Sequence, residues 1–394
     1  MFAPTQIMPA SSPALDTEWS LLLTACSAFA HPKNLDRVRS RLAEPMNWAS
    51  LLDLAEQHGV APLLCHVLSP IENEVPDEPV GWLKQKYQTN IRKSLILAGE
   101  LIRVLDCIDA LGVEVMPYKG LVLAETMYGN MALRQTGDID LLIRPQDFPQ
   151  IKKAVRELGY APHMTLSETE ERAYLISGYE CAFDCSAGRN LLELQWALQP
   201  RFYAVDIDMD ALFRRAVTAT FAGWKVKTLS NEDLLLVLAV HAAKHLWGRL
   251  IWLCDIAQIV NLPNLNWDWI VDQSRELGIA RVLSITLQLT GALLGVAPPP
   301  SVRGKLLDDR VSVALADEVR TCVVSRNSLN PESLAYFRLM MRLRERKADR
   351  LKFLQRLALT PGPNEWSAVR LPAPLFPLYR VVRLSRLAAR LVRA

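Results

Sequence analysis

The sequence predicts an α+β fold in which a small mixed sheet lies between helical regions. The apolar residues recur at helical spacing up to Gly112, then in short alternating runs, and at helical spacing again from Ser230. The 394 residues are half hydrophobic and 22% charged, which suits two or three packed domains. We therefore divide the chain into a helical N-terminal region (1–95), a mixed core (96–229) and a helical C-terminal domain with a basic tail (230–394).

Composition excludes several classes of protein. The net charge of +3 does not by itself imply a nucleic-acid partner, and the seven cysteines form no Cys-x-x-Cys pair that would suggest zinc. The N-terminus has no basic stretch followed by an apolar run, and the longest apolar run, 234–243, is broken by His241. We expect a soluble cytoplasmic protein with free thiols and no membrane span.

Helices and strands follow from periodicity and from glycine and proline positions. In the outer regions the sequence predicts helices at 48–58, from Pro62, at 80–111, 230–250, 251–260 and 283–294, and a loop at 70–79. In the core it predicts strands at 113–116, 139–143, 179–183, 191–196 and 224–229, helices at 119–128 and 145–158, and a turn at 187–190.

Two acids on one strand are the first candidate site. Asp138 and Asp140 alternate along a strand, so their side chains share a face about 7 Å apart. Carboxylates this close repel each other unless a cation lies between them, and magnesium is the usual hard cation beside phosphates. The plainer alternative is a pair of acids on a solvated strand edge. Leu141 and Leu142 follow directly, which favours a strand that enters a core.

A third acid is expected to join them. Glu193 lies between Leu192 and Leu194, so it faces away from the leucines if these are buried. A lone carboxylate among leucines is costly to bury without a partner. Upstream, Lys119 and Gly120 open a helix whose backbone N–H groups suit a phosphate.

These motifs resemble a known family. The segments that carry the resemblance are Tyr118-Lys119-Gly120-Leu121, Tyr128 to Asn130, Leu133 to Pro145, Leu192 to Trp196, Leu229 to Leu235, His241 to His245, and Leu250 to Ile256. They are similar to the bacterial uncharacterised nucleotidyltransferases of the polymerase-beta-like nucleotidyltransferase superfamily. Two positions depart from the pattern: Lys119-Gly120 replaces the Gly-Ser of the wider superfamily, and Gln195 stands where the group commonly has His.

The resemblance implies a nucleotidyltransferase core with three catalytic acids. Asp138, Asp140 and Glu193 would hold Mg²⁺ or Mn²⁺, and the enzyme would transfer a nucleoside monophosphate from a nucleoside triphosphate to an acceptor, releasing pyrophosphate. The acceptor stays open among a sugar, a metabolite, a peptide, a protein and RNA. Two alternatives stay open as well: a non-catalytic nucleotide-binding or interaction module of the same fold, and a toxin-like enzyme that modifies tRNA.

Further basic residues are candidates for phosphate contacts. By helical spacing one face carries His241, Lys244, His245 and Arg249. We expect this face to close the nucleotide cleft with Lys244 and Arg249 on phosphates, the alternative being a solvated face. Zinc binding by the two histidines would lack a third ligand. Arg134 precedes Asp138 by four residues and is expected to bind a phosphate or to orient Asp140, the alternative being a surface arginine.

The C-terminus is rich in arginine. Residues 380–393 interleave arginines with leucines at helical spacing, as in a helix that binds RNA or an anionic lipid surface. A terminal helix packed on the body, with its arginines in water, is the interpretation that we favour.

Overall fold

The computed structural model describes residues 16–30, 34–185, 191–325 and 333–393. Its strands are β1 Met116–Pro117, β2 Asp138–Leu142, β3 Tyr160–Pro162, β4 Glu180–Cys185, β5 Leu191–Gln195, β6 Val217–Phe221 and β7 Trp224–Thr228. Its helices are α1 Thr17–Ala30, α2 Leu35–Leu42, α3 Trp48–Gln57, α4 Ala61–Leu68, α5 Asp77–Asp109, α6 Gly120–Tyr128, α7 Phe148–Glu157, α8 Glu168–Ser177, α9 Met209–Arg214, α10 Asn231–Lys244, α11 Leu250–Val260, α12 Trp267–Glu276, α13 Ala280–Leu294, α14 Pro300–Val302, α15 Arg310–Val324, α16 Leu334–Arg342, α17 Lys347–Leu359, α18 Pro363–Ala368 and α19 Tyr379–Arg393.

A five-stranded mixed sheet forms the centre of the molecule. The strand order is β1-β2-β5-β4-β3, with β2 and β5 parallel and the other neighbours antiparallel. The chain between the two parallel strands supplies α7, α8 and the two outer strands, because a parallel pair needs a long crossover. A separate hairpin of β6 and β7 packs beside β1. The predicted α+β class is confirmed.

The two faces of this sheet differ in chemistry. Ile139 and Leu141 of β2, with Leu192 and Leu194 of β5, are buried in one apolar cluster with the second half of α5 and with α7. Because side chains alternate along a strand, the acids of β2 and β5 lie on the opposite face. This burial of the apolar face fixes the register and therefore the direction of the acids.

Helices from both ends of the chain share the larger core. α1 packs against α4 and α13, and α11 packs against α10 and α13, so that Leu21, Leu253 and Ile285 are all fully buried in one cluster. The proposed division at 95/96 falls inside α5, whose second half packs on the sheet. The three-part division of the chain stays a proposal.

Two predictions about the helical regions were wrong. The expected loop at 70–79 contains a 3₁₀ helix, Ser69–Glu74, and the first turn of α5, because Ile71 is fully buried in the core. The expected helix 230–250 ends at Lys244. Leu246 and Trp247 adopt left-handed backbone conformations there, and the buried Trp247 indole donates a hydrogen bond to the Thr286 hydroxyl at 2.9 Å. That tertiary contact overrides the helical period.

Strand predictions were better in the middle of the sheet than at its edges. β2 and β5 lie within one residue of the predicted bounds, whereas the edge strand expected at 113–116 is reduced to Met116–Pro117. The short β3, the helix α8 and the strand β6 were not predicted. The turn predicted at 187–190 lies outside the described residues.

The C-terminal helix α19 is anchored on one side. Tyr379 is buried and its hydroxyl donates to the Val369 carbonyl, while Arg383 and Arg386 contact the buried Glu365 of α18. None of the helices in the described ranges combines the length and the apolar composition that a membrane crossing requires.

Candidate functional site

The parallel pairing of β2 and β5 brings three acids together. The register sets Asp140 opposite Glu193, and Asp138 shares the face of Asp140. One carboxylate oxygen from each of the three residues lies within 4.8 Å of the others, as a metal site requires. Asp140 is buried, and Asp138 and Glu193 are half-buried. The predicted convergence of these carboxylates on one face is confirmed.

Burial and the crowding of like charges raise the pKa of Asp138 and of Glu193. Burial and the neighbouring Asp140 carboxylate raise the pKa of Asp138, partly offset by Lys119. Burial, Asp140 and Glu180 raise the pKa of Glu193 to about 8. A hard cation with oxygen ligands would relieve this repulsion.

Gln195 ties the acids to each other. Its amide nitrogen donates to Asp140 and to Glu193, at 2.8 Å in each case, and to Glu180 of β4 at 3.3 Å. Its amide oxygen accepts a hydrogen bond of 2.6 Å from the Tyr118 hydroxyl. Gln195 is therefore a buried donor to carboxylates, and its neutral amide is not suited to act as a general base.

Lysines approach the cluster from two elements. Lys119 Nζ lies 3.5 Å from Asp140 Oδ1. Burial alone would lower the pKa of Lys119. The nearby groups of Asp140, Tyr118 and Glu193 outweigh this effect and raise that pKa, so the side chain stays cationic. On α5, the exposed Lys93 Nζ lies 3.9 Å from the position that a Cβ on Gly137 would occupy, and its charge lowers the pKa of Asp138.

Gly120 is required where α6 meets β2. Its φ is +55°, a region that side chains with a Cβ rarely adopt. An added Cβ would lie 3.0 Å from Thr136 Cγ2 and 3.4 Å from the Asp138 carbonyl oxygen. The beginning of α6, with its free backbone N–H groups, therefore lies against the strand that carries the acids.

Arg134 has a different environment from the one expected. Its guanidinium is buried and makes a two-point ion pair with Asp255 of α11, with Nε–Oδ1 and Nη2–Oδ2 distances of 2.9 Å. The Tyr128 hydroxyl donates to the same carboxylate at 2.7 Å. Arg134 is therefore neither a surface arginine nor a free phosphate ligand, because Asp255 engages its charge.

Lys244 lies at the end of α10, beside the sheet. Its ammonium donates to the Tyr179 hydroxyl at 2.9 Å and lies 4.3 Å from the centroid of that ring. Burial lowers the pKa of Lys244, and the charges of Glu180, Glu193 and Asp140 act against this. Lys244 thus faces the side of the sheet that carries the acids.

The remaining residues of the predicted helical face are separated by the end of α10. Arg249 is exposed at the N-cap of α11, and its guanidinium lies 6.0 Å from the Trp252 ring centroid. His241 and His245 both pack against Trp252, at 5.3 and 5.2 Å between centroids. Desolvation and the nearby charges of Lys119 and Lys244 lower the pKa of both histidines, which favours their neutral forms near pH 7. The prediction that these four residues share one helical face was wrong, because α10 ends at Lys244.

Sequence reasoning assigned no role in the site to Gln195, Asp255, Lys93 or Tyr179. Gln195 follows Glu193 by two residues, so strand alternation already puts both on one face. Asp255 is an acid in an otherwise apolar helix, the same signal that identified Glu193. Lys93 and Tyr179 come from distant elements, and only the tertiary fold brings them near the acids.

Of the comparisons with known proteins, the match to a family agrees with the site. No curated protein matches the sequence. Among solved structures the chain is similar to an antigenic nucleotidyltransferase-like protein from Paracoccidioides brasiliensis, with 17% identity, coverage of 53% of this chain and 95% of that one, and a TM-score of 0.34. So distant a likeness carries no conclusion. Residues 44–295, more than half of the chain and including all three acids, match a family described as uncharacterised nucleotidyltransferase. The chain belongs to this family.

Proposed function

We propose that this protein is a metal-dependent nucleotidyltransferase that transfers a nucleoside monophosphate from a nucleoside triphosphate to an acceptor and releases pyrophosphate. The observation that carries the proposal is the convergence of Asp138, Asp140 and Glu193, whose ligand oxygens lie within 4.8 Å of one another on one face of the sheet. Membership of a nucleotidyltransferase family supports the same chemistry.

The donor set fits a hard divalent cation. Three carboxylates supply only oxygen ligands, which Mg²⁺ and Mn²⁺ prefer. Bound there, the cation would neutralise charge on the phosphates and on the attacking and leaving oxygens. Gln195 would orient Asp140 and Glu193 through its two 2.8 Å hydrogen bonds.

Basic groups around the acids would hold the triphosphate. Lys119, next to Asp140, and the backbone N–H groups that begin at Gly120 are the nearest candidates. Lys93 and Lys244 approach from α5 and α10. We propose that Arg134 instead holds the loop before β2 through Asp255. Arg249 remains a phosphate candidate because it is exposed.

The three acids would have different roles in binding the metal and the acceptor. Asp138 and Asp140 would serve mainly as ligands, and Glu193 would also bind the acceptor hydroxyl. Most of the catalysis in phosphoryl transfer comes from positioning and charge neutralisation, so these roles need no covalent intermediate. The acceptor is proposed only as a nucleophilic group of a sugar, a metabolite, a peptide, a protein or RNA.

Replacement of Glu193 tests the enzyme proposal. Glu193→Gln keeps the shape of the side chain and removes its charge, so folding and nucleotide affinity should change little. Pyrophosphate release, measured with a panel of acceptors or as slow hydrolysis without one, should fall about a hundredfold or more. Glu56→Gln, on the exposed side of α3, is the matched control and should keep wild-type turnover.

The same assay separates the alternatives. Turnover by Glu193→Gln at the wild-type rate would make Glu193 structural. Metal-dependent triphosphate binding by a wild type that turns over no acceptor would favour the non-catalytic module. Transfer to tRNA alone would favour the toxin-like enzyme. Lys244→Ala should weaken triphosphate binding, and unchanged affinity would remove Lys244 from the phosphate site.

A further inference from the structure

Positive charge is concentrated at one end of the chain. Residues 333–394 contain fourteen arginines and lysines but only three acids, Glu345, Asp349 and Glu365, giving a formal charge of +11. The preceding 332 residues carry the other 31 basic and 39 acidic residues, a charge of −8. The net charge of +3 therefore conceals a basic segment on an acidic body. An asymmetry of this kind indicates an anionic partner.

The same segment exposes aliphatic side chains. Of the seventeen large apolar residues that are exposed in the described ranges, nine lie within residues 333–393. Four of them recur every third residue through the 3₁₀ helix Ala373–Leu378 and the first turns of α19: Leu375, Leu378, Val381 and Leu384, which are 44%, 48%, 61% and 45% exposed. We call these four residues the apolar ridge.

The apolar ridge is held in place by the opposite side of α19. Tyr379 is buried, and Arg383 reaches the Glu365 carboxylate at 3.3 Å and the Leu357 carbonyl of α17 at 2.6 Å. Exposed Arg380 lies next to Val381 and one turn before Leu384. A docked amphipathic helix thus presents aliphatic residues together with arginine to the outside.

We propose that residues 370–389 form a surface that binds an anionic lipid bilayer, with α19 lying in the plane of the interface. A helix with an arginine-rich polar face and an aliphatic apolar face has the composition of interfacial helices. Exposed Arg370 and Arg380 attract anionic headgroups, and the apolar ridge enters the boundary between headgroups and acyl chains. No membrane-crossing segment is needed for this mode of binding.

Two other occupants fit the surface less well. Single-stranded RNA is bound by stacking bases on exposed aromatic rings. In residues 333–393 no aromatic side chain is exposed, and Tyr336, Phe353, Trp366 and Tyr379 are buried. Symmetric pairing of this surface with the same surface of a second copy would bring two segments of charge +11 together, so repulsion opposes that contact.

Vesicle sedimentation with the full-length protein tests the proposal. The protein should bind vesicles of phosphatidylglycerol and phosphatidylcholine in equal parts, bind poorly to pure phosphatidylcholine, and detach as salt rises from about 0.1 M to 1 M. The double variant Val381→Asn/Leu384→Gln should lower the partition coefficient at least tenfold. Arg380→Gln should lower it about fivefold.

Matched variants make the test specific. Val311 and Val313 of α15 are 44% and 42% exposed, so Val311→Asn/Val313→Gln removes two exposed apolar side chains elsewhere and should leave vesicle binding unchanged. All of these positions are exposed, and unchanged thermal unfolding will confirm that each variant is folded. No vesicle binding, or equal loss with both double variants, would overturn the proposal. So would tighter binding to single-stranded RNA that vesicles fail to compete away.

Discussion

The carboxylate of Asp255 and the guanidinium of Arg134 join the helical C-terminal region to the loop that leads into β2. Asp255 is fully buried, and both of its oxygens accept hydrogen bonds from Arg134 at 2.9 Å. Arg134 precedes Asp138 by only four positions. The position of the first acid of the site therefore depends on a helix that belongs to another part of the fold.

Removal of the Asp255 carboxylate should lower the free energy of unfolding. In Asp255→Ala the buried Arg134 cation and the Tyr128 hydroxyl lose their acceptor, so the free energy of unfolding should fall by about 3–5 kcal/mol. Chemical denaturation at pH 7 measures this. As a control, Glu318→Ala breaks the exposed pair with Arg342 and should cost less than about 1 kcal/mol. Equal effects of the two changes would contradict the structural role of Asp255.

Gly120 should not tolerate a methyl group. Gly120→Ala forces an alanine into φ +55° and sets its Cβ 3.0 Å from Thr136 Cγ2. We expect a loss of about 1–2 kcal/mol in unfolding free energy, and weaker triphosphate binding because the beginning of α6 must move. Gly81→Ala is the control: its Cβ would meet no atom within 4 Å in the interior of α5, so this change should be neutral or stabilise by up to about 1 kcal/mol.

Asp138→Asn should abolish the dependence of triphosphate binding on Mg²⁺. Calorimetric titration of the wild type with a triphosphate should give tighter binding with Mg²⁺ than without it, because a cation held by the carboxylates would offset the negative charge of the phosphates. The variant should lose that difference and keep its thermal stability. Asp184→Asn, which removes an exposed acid from β4, should behave as the wild type does. Equal magnesium dependence in Asp138→Asn would contradict a metal site at this residue.

Acid should weaken the contact between α17 and the chain near Asp206. The guanidinium of Arg356, assisted by Lys352, lowers the pKa of Asp206 from 3.8 to about 2. Because the pKa of Asp206 is lower in the folded than in the unfolded state, its ion pairs stabilise the folded state fully above the unfolded pKa, near 4. This contribution to the free energy of unfolding is lost as pH falls towards 2.

The Asp206 side chain is 56% exposed, so solvent screening limits its contribution to the free energy of unfolding to under about 1 kcal/mol. Urea denaturation of wild type and Asp206→Asn should differ at pH 5 and converge as pH approaches 2. A difference that stays constant over this range would contradict the assignment.

The sequence was sufficient for the centre of the site and insufficient for its surroundings. Asp138, Asp140 and Glu193 could be predicted to converge because the strand period and two buried leucines determine which way each acid points. The end of α10 could not be predicted, because the indole of Trp247 finds its partner Thr286 in α13, far away in the sequence. Arg134 was misjudged for the same reason, since its partner lies 121 residues further along the chain.

The shared core of the two helical regions has a consequence for biosynthesis. α1 packs against α2, α3 and α4, but it also contacts α11 and α13, so part of its apolar surface stays uncovered until α13 has been made. More than two hundred residues separate α4 from the end of α13, and translation at about 5–20 residues per second takes on the order of ten to forty seconds over that length. During this interval the nascent N-terminal helices expose apolar surface, and they are the part of the chain that a chaperone would bind.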